Sequence, residues 1–391
     1  MAAPLVIVGD VHLTRADLGG PLVGALARVV DASAGHDVVF AGDLLDLPLD
    51  SSREHEDAER AVELAAADER LRRAIGRHVD RGETVTLVAG NHDACIARPS
   101  VIEALRDAIG LEGAARERLR ATPWFARLGP IHVEHGHAHD PDNAPPHPLA
   151  EPLDGLGTYI VRNLIRPTGA TAFLGQSDGT PMTQLWRAFR IYGVRGPGIV
   201  ARYFATAFSA LFLSGPRWRA RASRLERADV MAFARDVGLD AQTIEALAAL
   251  GANPTLASIR RTFARLYFDR VGLTLAAASG AGIAVAGRPA IGLMTTATAS
   301  ILLAATILGA PNRYAERAVE GLREAADRTA EATGASLVVY GHVHREDEGE
   351  RYANTSSFGC APEARRGEGH PYLRVSVEGD RPRVERMRAR P

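Results

Sequence analysis

Short apolar runs of β-branched type recur along the chain, and each ends in a small residue followed by polar, metal-type side chains. Leu5–Val8 leads into Gly9-Asp10-Val11-His12, and Asp37–Ala41 into Gly42-Asp43-Leu44-Leu45-Asp46. Val85–Val88 leads through Ala89-Gly90 into Asn91-His92-Asp93, Ile131–Glu134 into His135-Gly136-His137, and Leu337–Tyr340 into Gly341-His342-Val343-His344. Runs of this length and type read as buried strands. Between the first three lie helical patterns over Leu22–Ala34 and Asp57–Asp80. Alternating strands and helices predict an α/β sheet covered by helices, in which ligands gather beyond the carboxyl ends of the strands. All five polar clusters fall there.

The chemistry of those clusters narrows the ligand. Asp, His and Asn supply hard oxygen and borderline nitrogen donors with no thiolate, a set suited to Mn²⁺, Fe or Zn²⁺. An Asp-x-His or His-x-His pair on extended backbone would point both side chains to one side. Two cations about 3.5–4 Å apart, sharing a carboxylate, would clamp a phosphoryl group and activate a bridging hydroxide. A single Gly-Asp after a strand is a common turn, but five ordered clusters are not explained that way.

Together Asp10-Val11-His12, Gly42-Asp43, Gly90-Asn91-His92-Asp93, His135 and Gly341-His342-Val343-His344 resemble the calcineurin-like metallophosphoesterase signature, over residues 1–147 and 333–391. The resemblance implies a four-layer αββα sandwich with a dimetal centre at one edge. It implies a first metal on Asp10, His12 and His344, a second on Asn91, His135 and His342, and Asp43 bridging the two. His92 would be the histidine that is not a ligand, assisting the phosphate or the leaving oxygen, and Asp93 would orient it. His137 and His139 are expected to line the pocket or face solvent, His132 to pack within its strand, and Tyr352–Ser357 to form a polar turn near the site.

The two site-bearing parts, 1–150 and 331–391, enclose a segment, 151–330, that reads as a large helical insertion. It holds 21 Arg and 13 acids, whereas the remainder holds 25 Arg and 34 acids, so the formal net charge of −1 conceals opposite halves. Residues 155–225 alone carry ten Arg against one acid, Asp178, which makes these arginines candidates for gripping phosphate, of a substrate or of anionic lipid. Aromatics are not interleaved with them, which argues against nucleic acid. Asp240 would cap a helix running to Leu250, and Asn253-Pro254 would start one running to Arg270. Leu273–Gly287 and Ala290–Ala310 are uncharged; the second has about the 20 residues needed to span a bilayer, whereas the first is short for that purpose. With apolar 199–213 they leave three readings open: a soluble cap, a membrane hairpin, or helices lying at the interface. Because the site residues must meet, any crossings would be even in number.

Every one of the 46 basic residues is arginine, which excludes a catalytic lysine, and two cysteines exclude a disulfide scaffold. The start shows no signal-peptide pattern, which favours the cytoplasm, at the inner face of a membrane if the hairpin inserts. The expected activity is hydrolysis of a phosphoester or pyrophosphate. The helical insertion is similar to that of enzymes cleaving UDP-2,3-diacylglucosamine, which suggests a lipid-linked substrate; those enzymes have Arg where this chain has His92, Asp where it has His137, and a shorter insertion. The alternatives are a nuclease of the same fold and a catalytically silent membrane scaffold.

Overall fold

A computed structural model describes residues 4–150, 153–171, 181–221, 225–309, 315–360, 366–378 and 381–390. The chain divides into two compact units, the first comprising 1–175, 220–254 and 318–391, the second 176–219 and 255–317. The helical segment expected over 151–330 is therefore shared between them.

Among the described residues the first unit has eleven strands: β1 (Leu5–Val8), β2 (Asp37–Ala41), β3 (Val85–Val88), β4 (Leu119–Thr122), β5 (Phe125–Leu128), β6 (Ile131–Glu134), β7 (Leu337–Tyr340), β8 (Glu348–Gly349), β9 (Tyr352–Asn354), β10 (His370–Glu378) and β11 (Arg381–Ala389). They form two sheets, in the orders β11-β10-β1-β2-β3-β4 and β5-β6-β7-β9-β8. β1 to β4 run parallel, as do β6, β7 and β9, so their carboxyl ends are gathered at one edge of each sheet.

Three apolar layers hold the sheets. Ile7, Val39 and Val88 from one sheet and Val133, Val339 and Ala353 from the other share the central core. Val6, Val8, Val38 and Phe40 point the opposite way, as strand alternation requires, into helices Pro21–Ala32, Asp57–Ala67, Glu69–Asp80 and Pro99–Ile109. Val338 and Tyr340 meet Leu322 and Ala326 of helix Ala315–Thr333 on the far side. The result is the αββα sandwich. The helix expected over Asp57–Asp80 is two, because Asp68 leaves helical geometry and caps the second through Arg70 N–H, 3.0 Å away.

Two pieces of the expected insertion belong to this unit. Val230, Phe233, Ile244 and Leu247 of helices Arg227–Asp236 and Ala241–Ala248 pack around Trp124 and Phe125, and Asp240 caps the second helix as its position predicts. Arg162 is buried between Asp57 (Nη2 to Oδ2, 2.8 Å) and Asp154 (Nε to Oδ2, 2.6 Å), so its fork is committed to a structural ion network. It is thereby removed from the candidate phosphate-binding arginines. Arg224 lies outside the described residues, and the side chains of Arg217 and Arg221 outside the described ones.

The second unit is helical. The helix expected from Pro254 to Arg270 is broken into a short turn Thr255–Ala257, a Ser258-capped helix Ile259–Arg265, and Tyr267 with φ of 58°. From there helices Phe268–Val285 and Pro289–Gly309 form an antiparallel pair. Upstream, the helical stretch Trp186–Ala220 is interrupted by a tight turn at Gly193–Arg195 and widened over Ala210–Ser214.

Candidate metal centre

Each strand end delivers its polar residues within a few positions. Past β1 come Asp10 and His12, past β2 Asp43, past β3 Asn91 and His92, past β6 His135, and past β7 His342 and His344. The pairs do not sit on extended backbone, as the spacing suggested. Asp10, His12, Asp43, His342 and His344 all have φ between 50° and 70°, the left-handed region that side-chain-bearing residues rarely occupy. Among the described residues only Tyr267 and Ser356 share it outside glycine. Strain concentrated in this way marks a site whose geometry the surrounding fold overdetermines.

Two glycines make the approach possible. A Cβ at Gly42, where φ is 85°, would collide with the His135 ring; one at Gly90 would collide with the Asp43 carboxylate and backbone. The polar turn after β9 also meets the site, with Ser357 Oγ donating to Asp10 O at 2.7 Å.

Three groups of donor atoms converge to within 4.8 Å: Asp10, His12 and His344; Asp43, His135 and His342; and His12, Asp43 and His92. Asp43 belongs to two of them. Asn91 Oδ1 lies 3.0 Å from His135 Nε2, beside the second group. His12 Nε2 and His344 Nε2 face each other at 3.0 Å, with Asp10 Oδ1 3.1 Å from the latter. Buried carboxylates and imidazoles turned toward one another, without lysine or thiolate, fit divalent cations of the Mn²⁺, Fe or Zn²⁺ kind. The structure thus brings all seven expected ligand side chains into one place.

The neighbours differ from expectation at one point. Asp93 does not orient His92; it accepts the Gly90 N–H at 2.8 Å and the Leu45 N–H at 3.2 Å, tying the β2 and β3 loops together. The carboxylate on His92 is Asp46, whose Oδ1 lies 2.8 Å from Nδ1, while its Oδ2 reaches toward His12 Nδ1 at 3.5 Å. Asp46 also caps the short helix Leu47–Asp50. That Asp before Leu47-Pro48 is a helix-start signal in the sequence, and it sits three residues after Asp43.

A second missed set begins at Asp140. Its Oδ2 lies 2.8 Å from His342 Nε2 and accepts from Asn143 Nδ2 at 2.7 Å, and Asn143 Oδ1 accepts from Asn91 Nδ2 at 3.3 Å. With Nε2 of His342 held, Nδ1 is the nitrogen left for an ion. The available signal was turn chemistry, Asp140-Pro141-Asp142-Asn143, straight after the histidines.

The charges are strongly coupled to this geometry. Burial opposes ionisation of Asp10 and Asp43, but His135 and neighbouring imidazoles outweigh it and hold both carboxyls low. Burial likewise pulls His92 down, yet Asp46 and Asp43 raise it to about 9; for His135, Asp43 and Asp10 overcome burial to give about 10. Burial and the Asp43 charge push Asp93 up to about 6. His137 is buried, not solvated, and burial with His135 and His342 beside it pushes it down to about 3, a neutral ring lining the site. His137 and His139 lie on a helical turn, not on an extension of β6. His132 packs against Phe125 at 4.4 Å, as its position in the strand predicts.

Fold and site together define a class: an α/β sandwich with His and Asp groups assembled at the strand ends where metal can bind. Comparison with protein families adds the name of the group. The family model for calcineurin-like phosphoesterase matches residues 3–167 of the chain. His342 and His344 lie outside the matched stretch and enter the site because β7 pairs in parallel with β6. No curated protein matches the chain. The narrower likeness to UDP-2,3-diacylglucosamine pyrophosphatases receives no support from either comparison.

Proposed function

We propose that the protein hydrolyses a phosphoester or pyrophosphate bond of a lipid-linked substrate, at the cytoplasmic face of a membrane. The observation that carries the hydrolytic part is Asp43, a buried carboxylate common to two donor groups and therefore able to bridge two cations. Asp10, His12 and His344 would hold one cation, and Asn91, His135 and His342 the other. Two such ions, Mn²⁺ in the first instance, supply Lewis acidity toward phosphoryl oxygens and lower the pKa of bound water.

The remaining work falls to this chain's own side chains. Asp46 takes the Nδ1 proton of His92 in a hydrogen bond, which leaves Nε2 to point a proton at a developing alkoxide or phosphate. A cationic His92 is favoured there by Asp46 and Asp43. Asp93 fixes the loop that presents Asn91 and His92, and Asp140 fixes the tautomer and orientation of His342.

The lipid-linked substrate is favoured by the exposed apolar helices of the second unit and by the arginine-rich composition of 155–225. The test is hydrolysis by the purified full chain with Mn²⁺. Cleavage of a lipid-linked pyrophosphate faster than of an aryl phosphodiester supports the reading. Turnover of the aryl ester alone removes the lipid, cleavage of single-stranded DNA with steep salt dependence substitutes a nuclease, and no turnover removes the enzyme.

A further inference from the structure

The chain leaves the first unit after 175, returns for 220–254, leaves again, and returns from 318. Both excursions begin and end in one folded body. Phe233 and Ile244 of the returning segment share a core with Trp124 and Phe125, and His344 completes the group begun by Asp10. Any membrane crossing within an excursion must therefore be reversed within it.

That parity separates three apolar helical stretches: Trp186–Ala220, Phe268–Val285 and Pro289–Gly309. The first is the only such stretch in its excursion among the described residues, and a single crossing there is forbidden. Its helical pieces are Pro181–Tyr192 and a continuous run from Gly196 through the widened turn to Arg221, so it is parity and not length that excludes a crossing there. Arg187, Arg190, Arg195 and Arg202 are spread along them, beside exposed Trp186, Phe208 and Phe212. Such a composition suits the headgroup region of an anionic membrane.

The second excursion has a pair, which parity allows. Its helices have 18 and 21 residues. At ~1.5 Å per residue these are about 27 and 32 Å long, against a hydrocarbon core of about 30 Å. No charged residue lies between Arg270 and Arg288, or from Pro289 to Gly309. Leu293, Met294 and Ile301 are 64–68% exposed and Leu308 82%, a continuous apolar surface of a kind soluble proteins seldom leave open.

Two polar side chains bridge the pair. Thr296 Oγ1 donates to Ala277 O across the pair at 3.1 Å, and Arg270 Nη2 to Thr306 O at 2.6 Å. Gly280 and Gly292 let the two backbones touch, the close approach by which helices associate in lipid.

We propose that Phe268–Gly309 is a hairpin that crosses a lipid bilayer twice. Its turn, Ala286-Gly287-Arg288, lies on the far side, and the first unit lies on the near side with Trp186–Ala220 along the headgroups. One arginine beyond the membrane against the ten of 155–225 is the asymmetry that keeps the first unit cytoplasmic. The inference concerns topology alone and does not rest on hydrolysis.

The test uses the full chain made in a bacterial host. Wild-type membranes are washed with carbonate at high pH; retention in the pellet is expected, and release into the supernatant, or a cytosolic oligomer, overturns the proposal. In a Cys360→Ser background, Arg288→Cys and Ala114→Cys are then probed with a membrane-impermeant maleimide on spheroplasts. Cys95 is buried, with its thiol pushed up to about 12, and stays silent. Label on Arg288→Cys in intact spheroplasts, with Ala114→Cys labelled only after lysis, is the expected result. Protection of both until lysis, or labelling of both before it, overturns the hairpin. Neither readout involves metal or turnover, so failure here leaves the hydrolase reading intact, and the converse holds.

Discussion

The two units of this chain solve opposite problems. The first buries charge: Asp10, Asp43, Asp46, Asp93, His135 and Asp140 are all out of solvent, each held by hydrogen bonds or by an opposite charge, under layers of aliphatic side chains. The second exposes grease: in its hairpin large aliphatics face outward, while Thr296 and Arg270 bond across the pair. In water, burying an ionised group costs several kcal/mol unless partners or a metal compensate, and exposing contiguous apolar surface is also unfavourable. On the readings proposed above, the companion of the first unit is divalent cation and that of the second is hydrocarbon.

The largest expected effect cuts the first half of that comparison. Asp43→Ala removes the carboxylate common to two donor groups, and turnover should fall by about a thousandfold or more, since a metal contributes several kcal/mol of transition-state stabilisation. Metal content measured on the purified variant should fall with it. Full metal loading together with undiminished turnover would dissociate the cluster from the chemistry.

Next comes the second half. Ile301 lies near the middle of Pro289–Gly309 and is 68% exposed. On a soluble surface Ile301→Arg would change stability by no more than about 0.5 kcal/mol. At the centre of a bilayer the same arginine costs about 2.5–3.5 kcal/mol. Loss of membrane retention is expected, read as the fraction pelleting after carbonate; unchanged retention would return the hairpin to a soluble or interfacial role.

Substitutions behind the ligands come third, at about 10–100-fold each. Asp140→Asn should weaken loading of one metal of the two, read as stoichiometry across a Mn²⁺ titration, because His342 loses the carboxylate that fixes its free nitrogen. Asp46→Asn should instead lower kcat while metal content is kept. Equal effects of both on loading would mean that Asp46 serves His12 more than His92.

How the sequence reads follows from the same contrast. The candidate ligand positions are legible because each follows a buried strand within a few residues, where period and motif coincide. Asp46, Asp140 and Asn143 are not, because their roles depend on loops that meet only in three dimensions, although each sits at a recognisable turn or cap. The left-handed backbone at Asp10 and His342 is equally hidden, since nothing local distinguishes it from an extended strand end. In the insertion, helices were readable but their allegiance was not: the apolar stripe of Val230, Phe233, Ile244 and Leu247 announces a buried face without saying that Trp124 and Phe125 cover it.

The smallest effect separates the units by acid. Asp68 caps helix Glu69–Asp80 and accepts from Arg70 Nη2 at 2.8 Å and from Gly19 N–H at 2.9 Å. The Arg70 hydrogen bond, against some burial, holds it at about 2, and Asp140 is held at about 2 despite burial by its bond to His342. A carboxyl depressed in the folded state stabilises above its unfolded pKa, near 4, and that contribution drains away as pH falls toward the folded value. The first unit should therefore loosen between about pH 4 and pH 2. The second unit has no histidine and only Asp178, Asp269 and Glu316 as acids in its sequence, so it has little to titrate. In bilayers, acidification should unfold the first unit, followed by quenching of Trp124 in a Trp186→Phe, Trp218→Phe background, while the chain stays in the pellet. Asp68→Asn keeps a capping oxygen but no titrating charge, and should blunt this loosening while leaving the helix cap in place. Simultaneous release from the membrane at pH 3 would mean that the hairpin is held by the folded body and not by lipid, and the two halves of the comparison would collapse into one.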